Sequence, residues 1–227
     1  KIWNVVRFRL NRGQAVSNWQ NLDGLSAADL RPDDQWIIAR LNRIITVVTD
    51  NLEQFGFNDS VKNLYDFVWS EFCDWYLESC KSIFNAETTS DDSSATTLRV
   101  FDYSLSVFLR LLHPFMPFIS DELYHQIGFV SEEDSIMLTQ WPKPLSEIQL
   151  ESLAACGDIV TLSEAKFELI RAVRNIRANY QISTSRPISV IVTPATPEAE
   201  AFLQRDHAAL QSLLNAGDLR VGEKPEG

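Results

Sequence analysis

The periodicity of apolar residues constrains the fold of this 227-residue chain more than any other feature. Apolar side chains recur at every third or fourth position, most clearly over 33–55 and 58–84, which places them on one face of an α-helix. Runs with the same spacing predict further helices at about 1–12, 93–112, 117–127 and 147–180. With 45% hydrophobic residues and only 8 glycines, the chain can bury one sizeable core. We therefore expect a mainly α fold.

The character of the sequence changes after Pro187. ISVIVTP is typical of a strand, PEAEAFLQRDHAALQSLLNAG of a helix and DLRVG of a second strand, which together make a small β-α-β unit. We predict two parts, namely a helical bundle over 1–186 with a long final helix and a small α/β cap over 187–227. The loop over 128–147 is expected to contain one brief extended segment, SIMLTQWP.

The charge of the chain is strongly segregated along the sequence. The formal net charge is -11, and 50–92 holds many acids and few lysines. Two segments are basic instead, because 1–12 contains no acid and 166–186 contains only Glu168. The basic residues of these segments are Lys1, Arg7, Arg9 and Arg12, then Lys166, Arg171, Arg174, Arg177 and Arg186. An acidic protein with this distribution can still present a basic face to a nucleic acid.

Several classes of site and location find no support in the sequence. Three cysteines, Cys73, Cys80 and Cys156, form no Cys-x-x-Cys pair, so we expect buried reduced thiols. One Glu-x-x-His at Glu122 and His125 lacks the second pair that a di-iron bundle needs. We therefore predict no metal site and no catalytic site. No apolar run reaches the roughly 20 residues of a membrane span and no signal peptide is present, so a cytoplasmic location is expected.

The stretch EFCDWYLESC at 71–80 combines acids, aromatic residues and two thiols, as a metal, redox or catalytic site would. Helical periodicity instead places its cysteines and aromatic residues on an apolar arc, with Asp74 and Glu78 on a polar strip. These acids can then pair with Lys81 or with a basic neighbouring helix. We interpret the stretch as part of a core helix.

The start of the chain is a better candidate for function. Trp3, Arg7 and Phe8 lie close together on the first helix, and aromatic rings beside guanidinium groups bind unstacked nucleotides. Core aromatics with solvated charges would give the same composition. Three later arginines at steps of three could meet a run of phosphates or pair with the acids of 50–92; they are Arg171, Arg174 and Arg177.

Several strings also resemble the C-terminal part of valyl-tRNA synthetases in order and spacing. They are KIWNVVRF, DDQWIIARLN, FNDSVKNLYDFVWSEFCDWYLE, LLHPFMPFISDELY, SIMLTQWP and IRAVRNIRANY. The resemblance covers 1–186 well and the remainder loosely. The most specific block is EFCDWYLE followed by LLHPFMPFISDELY.

The resemblance implies an all-helical class I synthetase anticodon-binding domain, with tRNA for valine and a catalytic domain of the same chain as partners. The parent enzyme joins valine to its tRNA with ATP and magnesium, whereas this segment carries no cofactor. HIGH-type and KMSKS-type signatures are absent, so the KMSKS-type loop is expected upstream of Lys1 and a coiled-coil arm after Gly227. A monomer without membrane contact is expected.

The family's W/Y-N-x-x-R-F helix and its following D-x-W/F helix are placed against the anticodon branch. The resemblance thus implies that bases stack on an aromatic residue such as Trp36, and that Arg7 or Asn4 contacts base edges. It also implies phosphate contacts from Lys1, Arg9, Arg12 and Arg40. The full set of tRNA-binding residues that we predict is Lys1, Asn4, Arg7, Phe8, Arg9, Arg12, Trp36, Arg40, Arg171 and Arg174. The alternative hypothesis is a non-catalytic helical protein-interaction domain that uses the acidic face of 50–92.

Overall fold

The computed structural model describes residues 1–84, 91–155 and 158–222, and it contains a helical bundle followed by a two-stranded parallel sheet. The helices of the bundle are α1 (Ile2–Leu10), α2 (Pro32–Glu53), α3 (Phe57–Asp66), a π-helix (Phe67–Tyr76), α4 (Leu77–Phe84), α5 (Asp91–Leu112), α6 (Pro117–Ile127), α7 (Glu147–Ser152) and α8 (Asp158–Asn179). The remaining elements are β1 (Ile188–Val192), α9 (Pro197–Arg205), α10 (His207–Leu214) and β2 (Ala216–Val221). The prediction of a mainly α fold is confirmed.

The helical run over 57–84 differs from the prediction at its centre. Ten residues, Phe67–Tyr76, form a π-helix, whose hydrogen bonds span five residues rather than four. This wider turn shifts the faces that precede and follow it. Val61 and Tyr65, predicted on the apolar arc, are exposed, whereas Phe72 and Tyr76 are buried.

The inner face of the π-helix lies in the core, as predicted for EFCDWYLESC. Phe72 contacts the ring of Phe108 at 5.0 Å, and the Tyr76 hydroxyl donates to Asp34 at 2.9 Å. Cys73 and Cys80 are free buried thiols, and burial raises the pKa of Cys73 to about 11. Both features agree with a structural role for this face. Cys156 lies outside the described residues.

The prediction that SIMLTQWP is extended is wrong, because Ile136–Leu138 form a turn of 3₁₀-helix. The Ser135 hydroxyl accepts the N–H of Met137 at 3.2 Å, and the Asp121 carboxylate accepts the N–H of Ile136 at 3.0 Å. These side-chain acceptors take backbone donors that a strand would need for a ladder.

The predicted long helix over 147–180 is also wrong in its first part. Its residues form two helices, Glu147–Ser152 and Asp158–Asn179. Ala154 adopts a left-handed backbone with φ of 49°, and the N–H of Ala155 bonds back to the carbonyl of Leu150 at 2.9 Å. This left-handed cap ends the first helix.

The β-α-β arrangement predicted for the cap is confirmed, since β1 and β2 are parallel and joined by helices. The single helix predicted between them is two, α9 and α10, which meet at Asp206. Arg177, near the end of α8, is buried and donates to the carbonyls of Leu214 and Asn215 at 3.1 and 2.9 Å. Arg177 therefore holds the cap against α8 and is not available to a phosphate.

A buried ionic cluster links the bundle to the cap. The ammonium group of Lys166 donates to Asp206 at 2.7 Å and to Asp33 in the first turn of α2. The hydroxyl of Ser79 on α4 also donates to Asp33. All four side chains are buried, so their charges and dipoles satisfy one another away from water.

Neither a membrane-spanning helix nor a metal-binding group is found among the residues that the structure describes. Within 1–84, 91–155 and 158–222, no helix is long and apolar enough to span a membrane. The same ranges contain no group of three or more His, Cys, Asp and Glu side chains arranged to hold a metal ion.

Candidate nucleic-acid interface

Helix α1 divides the predicted site residues between two faces. Trp3, Asn4 and Arg7 are exposed, and Trp3 retains 43% of its accessible surface. Trp3 and Arg7 are four residues apart, so they are neighbours on the helix surface. An aromatic ring and a guanidinium group are therefore presented together to solvent.

Lys1 brings the start of α1 to the π-helix. Its ammonium group donates to the carboxylate of Asp74 at 2.6 Å, and both side chains are exposed. The hydrogen bond with Asp74 raises the pKa of Lys1. An exposed ion pair of this kind contributes little to stability, so a phosphate can replace its carboxylate.

The phosphate contact predicted for Arg9 is wrong. Its side chain is 1% exposed, and its guanidinium group donates to both carboxylate oxygens of Asp102 on α5, at 2.5 and 2.8 Å. It also donates to the carbonyls of Gly13 and Gln14 at 3.0 and 2.9 Å. Arg9 therefore fixes the turn after α1 and has no face for a ligand.

Phe8 and Arg12 form a packed cluster rather than an open surface. The ring of Phe8 lies 6.1 Å from that of Phe84 and 6.4 Å from that of Phe101. The guanidinium carbon of Arg12 lies 4.4 Å from the centre of Phe8 and 4.7 Å from that of Phe84. Burial lowers the pKa of Arg12. We had predicted that both residues bind tRNA, but Phe8 is not an open surface for stacking a base and Arg12 is not a free ligand for a phosphate.

Trp36 cannot stack a base in this conformation, contrary to the prediction. Its side chain is 3% exposed and meets the ring of Phe167 edge-on, with centroids 4.9 Å apart. The ring of Trp75, on the π-helix, stacks on the same Phe167 with ring centroids 4.2 Å apart. The three rings join α2, the π-helix and α8.

Arg40 lies one turn after Trp36 and is bound to the π-helix. Its guanidinium group donates to the two carboxylate oxygens of Glu71, at 2.7 and 2.5 Å. The hydrogen bond with Glu71 raises the pKa of Arg40. Both side chains are about one-fifth exposed, so the pair lies at the surface but is sheltered.

Arg171 and Arg174 extend over Trp75 from α8. Their guanidinium carbons lie 5.2 and 5.8 Å from the ring, within cation–π range. Arg171 also pairs with Glu168, one turn earlier on the same helix, and both residues of this pair are more than half exposed. The two arginines therefore remain open to an anion.

The outer side of the π-helix contacts most of the predicted basic residues. Asp74 meets Lys1, Glu71 meets Arg40, and Trp75 meets the arginines of α8. We did not predict Glu71 and Trp75 as site residues. The available signal was the alternation of acids and aromatics in EFCDWYLESC, which we interpreted as a core helix whose polar strip pairs with basic residues, and not as part of a binding site.

A cavity of about 420 Å³ opens between α2, the π-helix and α8. It is lined by aromatic rings, arginines and carboxylates, including Trp36, Arg40, Glu71, Trp75, Glu164 and Arg171. Its size lies within the usual range of ligand pockets. Lys1, at the start of α1, contacts the π-helix at Asp74, and the two arginines of α8 contact it at Trp75. We call Lys1, Trp3, Asn4, Arg7, Arg171 and Arg174 the basic-aromatic face.

Comparison with known proteins places this arrangement in a family. A family model described as "Anticodon-binding domain of tRNA ligase" matches residues 34–192. The chain is 35% identical over 234 residues to a valine–tRNA ligase of Geobacter sulfurreducens, which aligns with 100% of this chain and 24% of the relative. A valine–tRNA ligase of Enterococcus faecalis is 32% identical over 232 residues, with the same shares of the two chains.

A valine–tRNA ligase of Listeria innocua is 34% identical over 221 residues, covering 95% of this chain and 23% of the relative. The chain thus spans about a quarter of the length of the curated relatives it matches. The resemblance of its strings to valyl-tRNA synthetases is confirmed by these comparisons, and so is the helical architecture that it implied. The chain belongs to the valine–tRNA ligase family and forms its anticodon-binding domain.

Proposed function

We propose that this chain binds the anticodon branch of valine tRNA through its basic-aromatic face, as one part of a longer valine–tRNA ligase. The observation that carries the proposal is the joint exposure of Trp3, Asn4 and Arg7 on a chain whose net charge is -11. Basic and aromatic side chains that are open to solvent are the combination that binds single-stranded RNA, and here they are exposed together although the chain as a whole is acidic.

Trp3 takes the stacking role that we first assigned to Trp36. Its exposed ring can receive a base splayed out of the anticodon loop, and stacking on an aromatic ring is worth about 1–3 kcal/mol per base. Arg7 and Asn4 then contact base edges or the adjoining phosphate. Valine anticodons end in adenine and cytosine, so these are the edges presented.

Phosphates are bound, in this proposal, by Lys1, Arg171 and Arg174. Two of these residues have carboxylate partners, Asp74 and Glu168. Both ion pairs are exposed, so exchanging the carboxylate for a phosphate costs little. Release of counterions from the RNA then favours association at low salt.

Valine attachment itself is assigned to a catalytic domain of the same polypeptide, which uses ATP and magnesium. The domain described here contributes recognition of the tRNA and binds no cofactor of its own. We further propose a monomeric enzyme in the cytoplasm, where its tRNA is charged.

Changing Trp3 to alanine is expected to weaken binding of a valine anticodon-branch hairpin by about 5–150-fold, because one stacked base is lost. The dependence of the dissociation constant on salt should stay the same. The matched control is Phe118→Ala, which removes an aromatic side chain that is 91% exposed on α6. Equal affinities of the Trp3→Ala and Phe118→Ala variants in a fluorescence titration would contradict the role of Trp3.

The phosphate contacts have a different expected result. Arg174→Ala should reduce the slope of log affinity against log salt by about 1, as removal of one phosphate contact does. Lys143→Ala, which changes an exposed lysine outside the basic-aromatic face, should leave the slope unchanged.

A protein-interaction function remains a second candidate because of one observation. Phe55, Phe57, Val61 and Tyr65, around the start of α3, are exposed apolar residues within the acidic stretch 50–92. An exposed apolar patch is typical of a protein contact. This candidate predicts no affinity for tRNA at low salt.

A further inference from the structure

Trp75 of the π-helix lies between the core and two exposed cations. Its side chain is 9% exposed, and its ring stacks on Phe167 with centroids 4.2 Å apart. The guanidinium carbons of Arg171 and Arg174 lie 5.2 and 5.8 Å from the centre of the same ring. Phe167, Arg171 and Arg174 follow one another at steps of four and three residues along α8, so they share one stripe of that helix. Trp75 therefore contacts the whole length of this stripe.

The ring of Trp75 is held in place from the core. Phe167, on which it stacks, is buried, and Trp36 of α2 meets Phe167 edge-on with centroids 4.9 Å apart. Three rings from three helices thus pack against one another. Because buried side chains pack closely and hold single rotamers, the position of Trp75 is fixed by the fold and not by the exposed side chains that lie on it.

The two arginines of α8 need a support of this kind. They are exposed and lie one turn apart, where like charges repel. Among the residues that the structure describes, only Arg171 of the two forms an ion pair, with the exposed carboxylate of Glu168. The face of an indole ring attracts cations, so Trp75 stabilises both guanidinium groups at one place. A guanidinium group over a ring can still direct N–H donors outward, where a phosphate accepts them.

We infer that Trp75 is a positioning residue for tRNA binding, which holds the guanidinium groups of Arg171 and Arg174 together as a clamp for backbone phosphate before the RNA binds. The inference rests on the proposed function. A side chain that is already ordered loses less conformational freedom when its ligand binds. Ordering by Trp75 is expected to increase the affinity for tRNA by about 2–12-fold for each arginine.

The test measures the affinity of Trp75 variants for valine tRNA at several salt concentrations. Trp75→Leu should weaken binding by about 5–100-fold, because both arginines lose their support. The slope of log affinity against log salt should stay the same, since both charges remain and can still reach phosphates. Trp75→Phe keeps a ring with a weaker attraction for cations, so its loss should be only about 2–5-fold.

A double-mutant cycle separates positioning from a purely structural role. In the double variant Arg171→Ala with Arg174→Ala, Trp75 has no guanidinium group to hold. Adding Trp75→Leu to this background should therefore change the affinity by less than about 2-fold. The matched control is Trp141→Leu, which removes another partly buried indole, whose Nε1–H donates to Thr49 at 2.8 Å. This control should leave the affinity for valine tRNA unchanged.

Urea denaturation establishes that each variant is folded. If Trp75→Leu does not fold, the cycle is measured with Trp75→Phe, whose loss of affinity should again require the two arginines. Equal losses in the two backgrounds, or wild-type affinity in the folded Trp75 variant, overturn the role of Trp75 and leave the proposed function standing. No binding of valine tRNA by the wild type overturns the proposed function itself.

Discussion

Replacing Asp102 with alanine is expected to lower the free energy of unfolding by about 3–5 kcal/mol, because it leaves the buried guanidinium group of Arg9 without its counter-charge. Asp102 is 0% exposed and accepts two hydrogen bonds from Arg9 and one, at 2.8 Å, from the backbone N–H of Val16. The variant therefore loses two contacts between α5 and α1 and one between α5 and the segment that follows α1. Urea denaturation at neutral pH measures the change.

Two controls distinguish this explanation from a general effect of losing an acid. Asp50→Ala changes an exposed aspartate on α2 and should alter stability by less than about 0.5 kcal/mol. The double variant Arg9→Met with Asp102→Leu removes both charges, and it should recover most of the loss, since apolar pairs often replace buried ion pairs without penalty. A double variant as unstable as Asp102→Ala would contradict this account.

The second large effect is expected at Lys166. Lys166→Met should also cost about 3–5 kcal/mol at pH 7.5, because the buried carboxylates of Asp33 and Asp206 lose their direct ion-pair partner and keep only the more distant charge of Arg31. Lys166, Asp33 and Asp206 join α2, α8 and the junction of α9 with α10. We therefore expect the cap to become protease-sensitive before the bundle unfolds. Lys143→Met, an exposed control, should change neither property.

The loss of stability in Lys166→Met should depend on pH in one direction. Burial, together with the charge of Asp33, raises the pKa of Asp206 from 3.8 to about 6. Between pH 3.8 and about 6, Asp206 is protonated in the folded state but ionised in the unfolded state. The contribution of Asp206 to the free energy of unfolding therefore increases as pH falls through 6. Removing Lys166, whose charge lowers the pKa of Asp206, strengthens the effect. The loss in free energy of unfolding caused by Lys166→Met should thus be smaller at pH 5 than at pH 7.5. A loss that does not change with pH would contradict the raised pKa of Asp206.

Periodicity predicted the helices well where one apolar face is buried throughout. The run over 33–55 corresponds to Pro32–Glu53, because its side chains pack on one side along its whole length. It could not predict the π-helix of Phe67–Tyr76, whose hydrogen bonds leave no mark in an alternation of apolar and polar residues. The break after Ser152 depends on the backbone of Ala154, a residue with no special preference for a left-handed conformation.

The site was predictable where exposure follows from position on a helix. Arg7 and Arg9 have the same chemistry, but Arg9 lies four residues after Val5 on the apolar stripe of α1 and is buried with it. Trp36 likewise belongs to the apolar set of α2, so periodicity predicted its burial while the family resemblance assigned it to RNA. The pairing of Arg40 with Glu71 depends on the packing of two helices, which no local pattern contains.

Recognition of the valine anticodon is tested most directly by the affinity of this chain for valine tRNA as the middle anticodon base and the salt concentration are varied. We expect binding at about 50 mM salt that weakens steeply towards 200 mM, as phosphate contacts require. We also expect this affinity to fall about 5–150-fold when the middle base is changed from adenine to guanine. Equal binding of valine tRNA and an unrelated tRNA at every salt concentration would contradict the account.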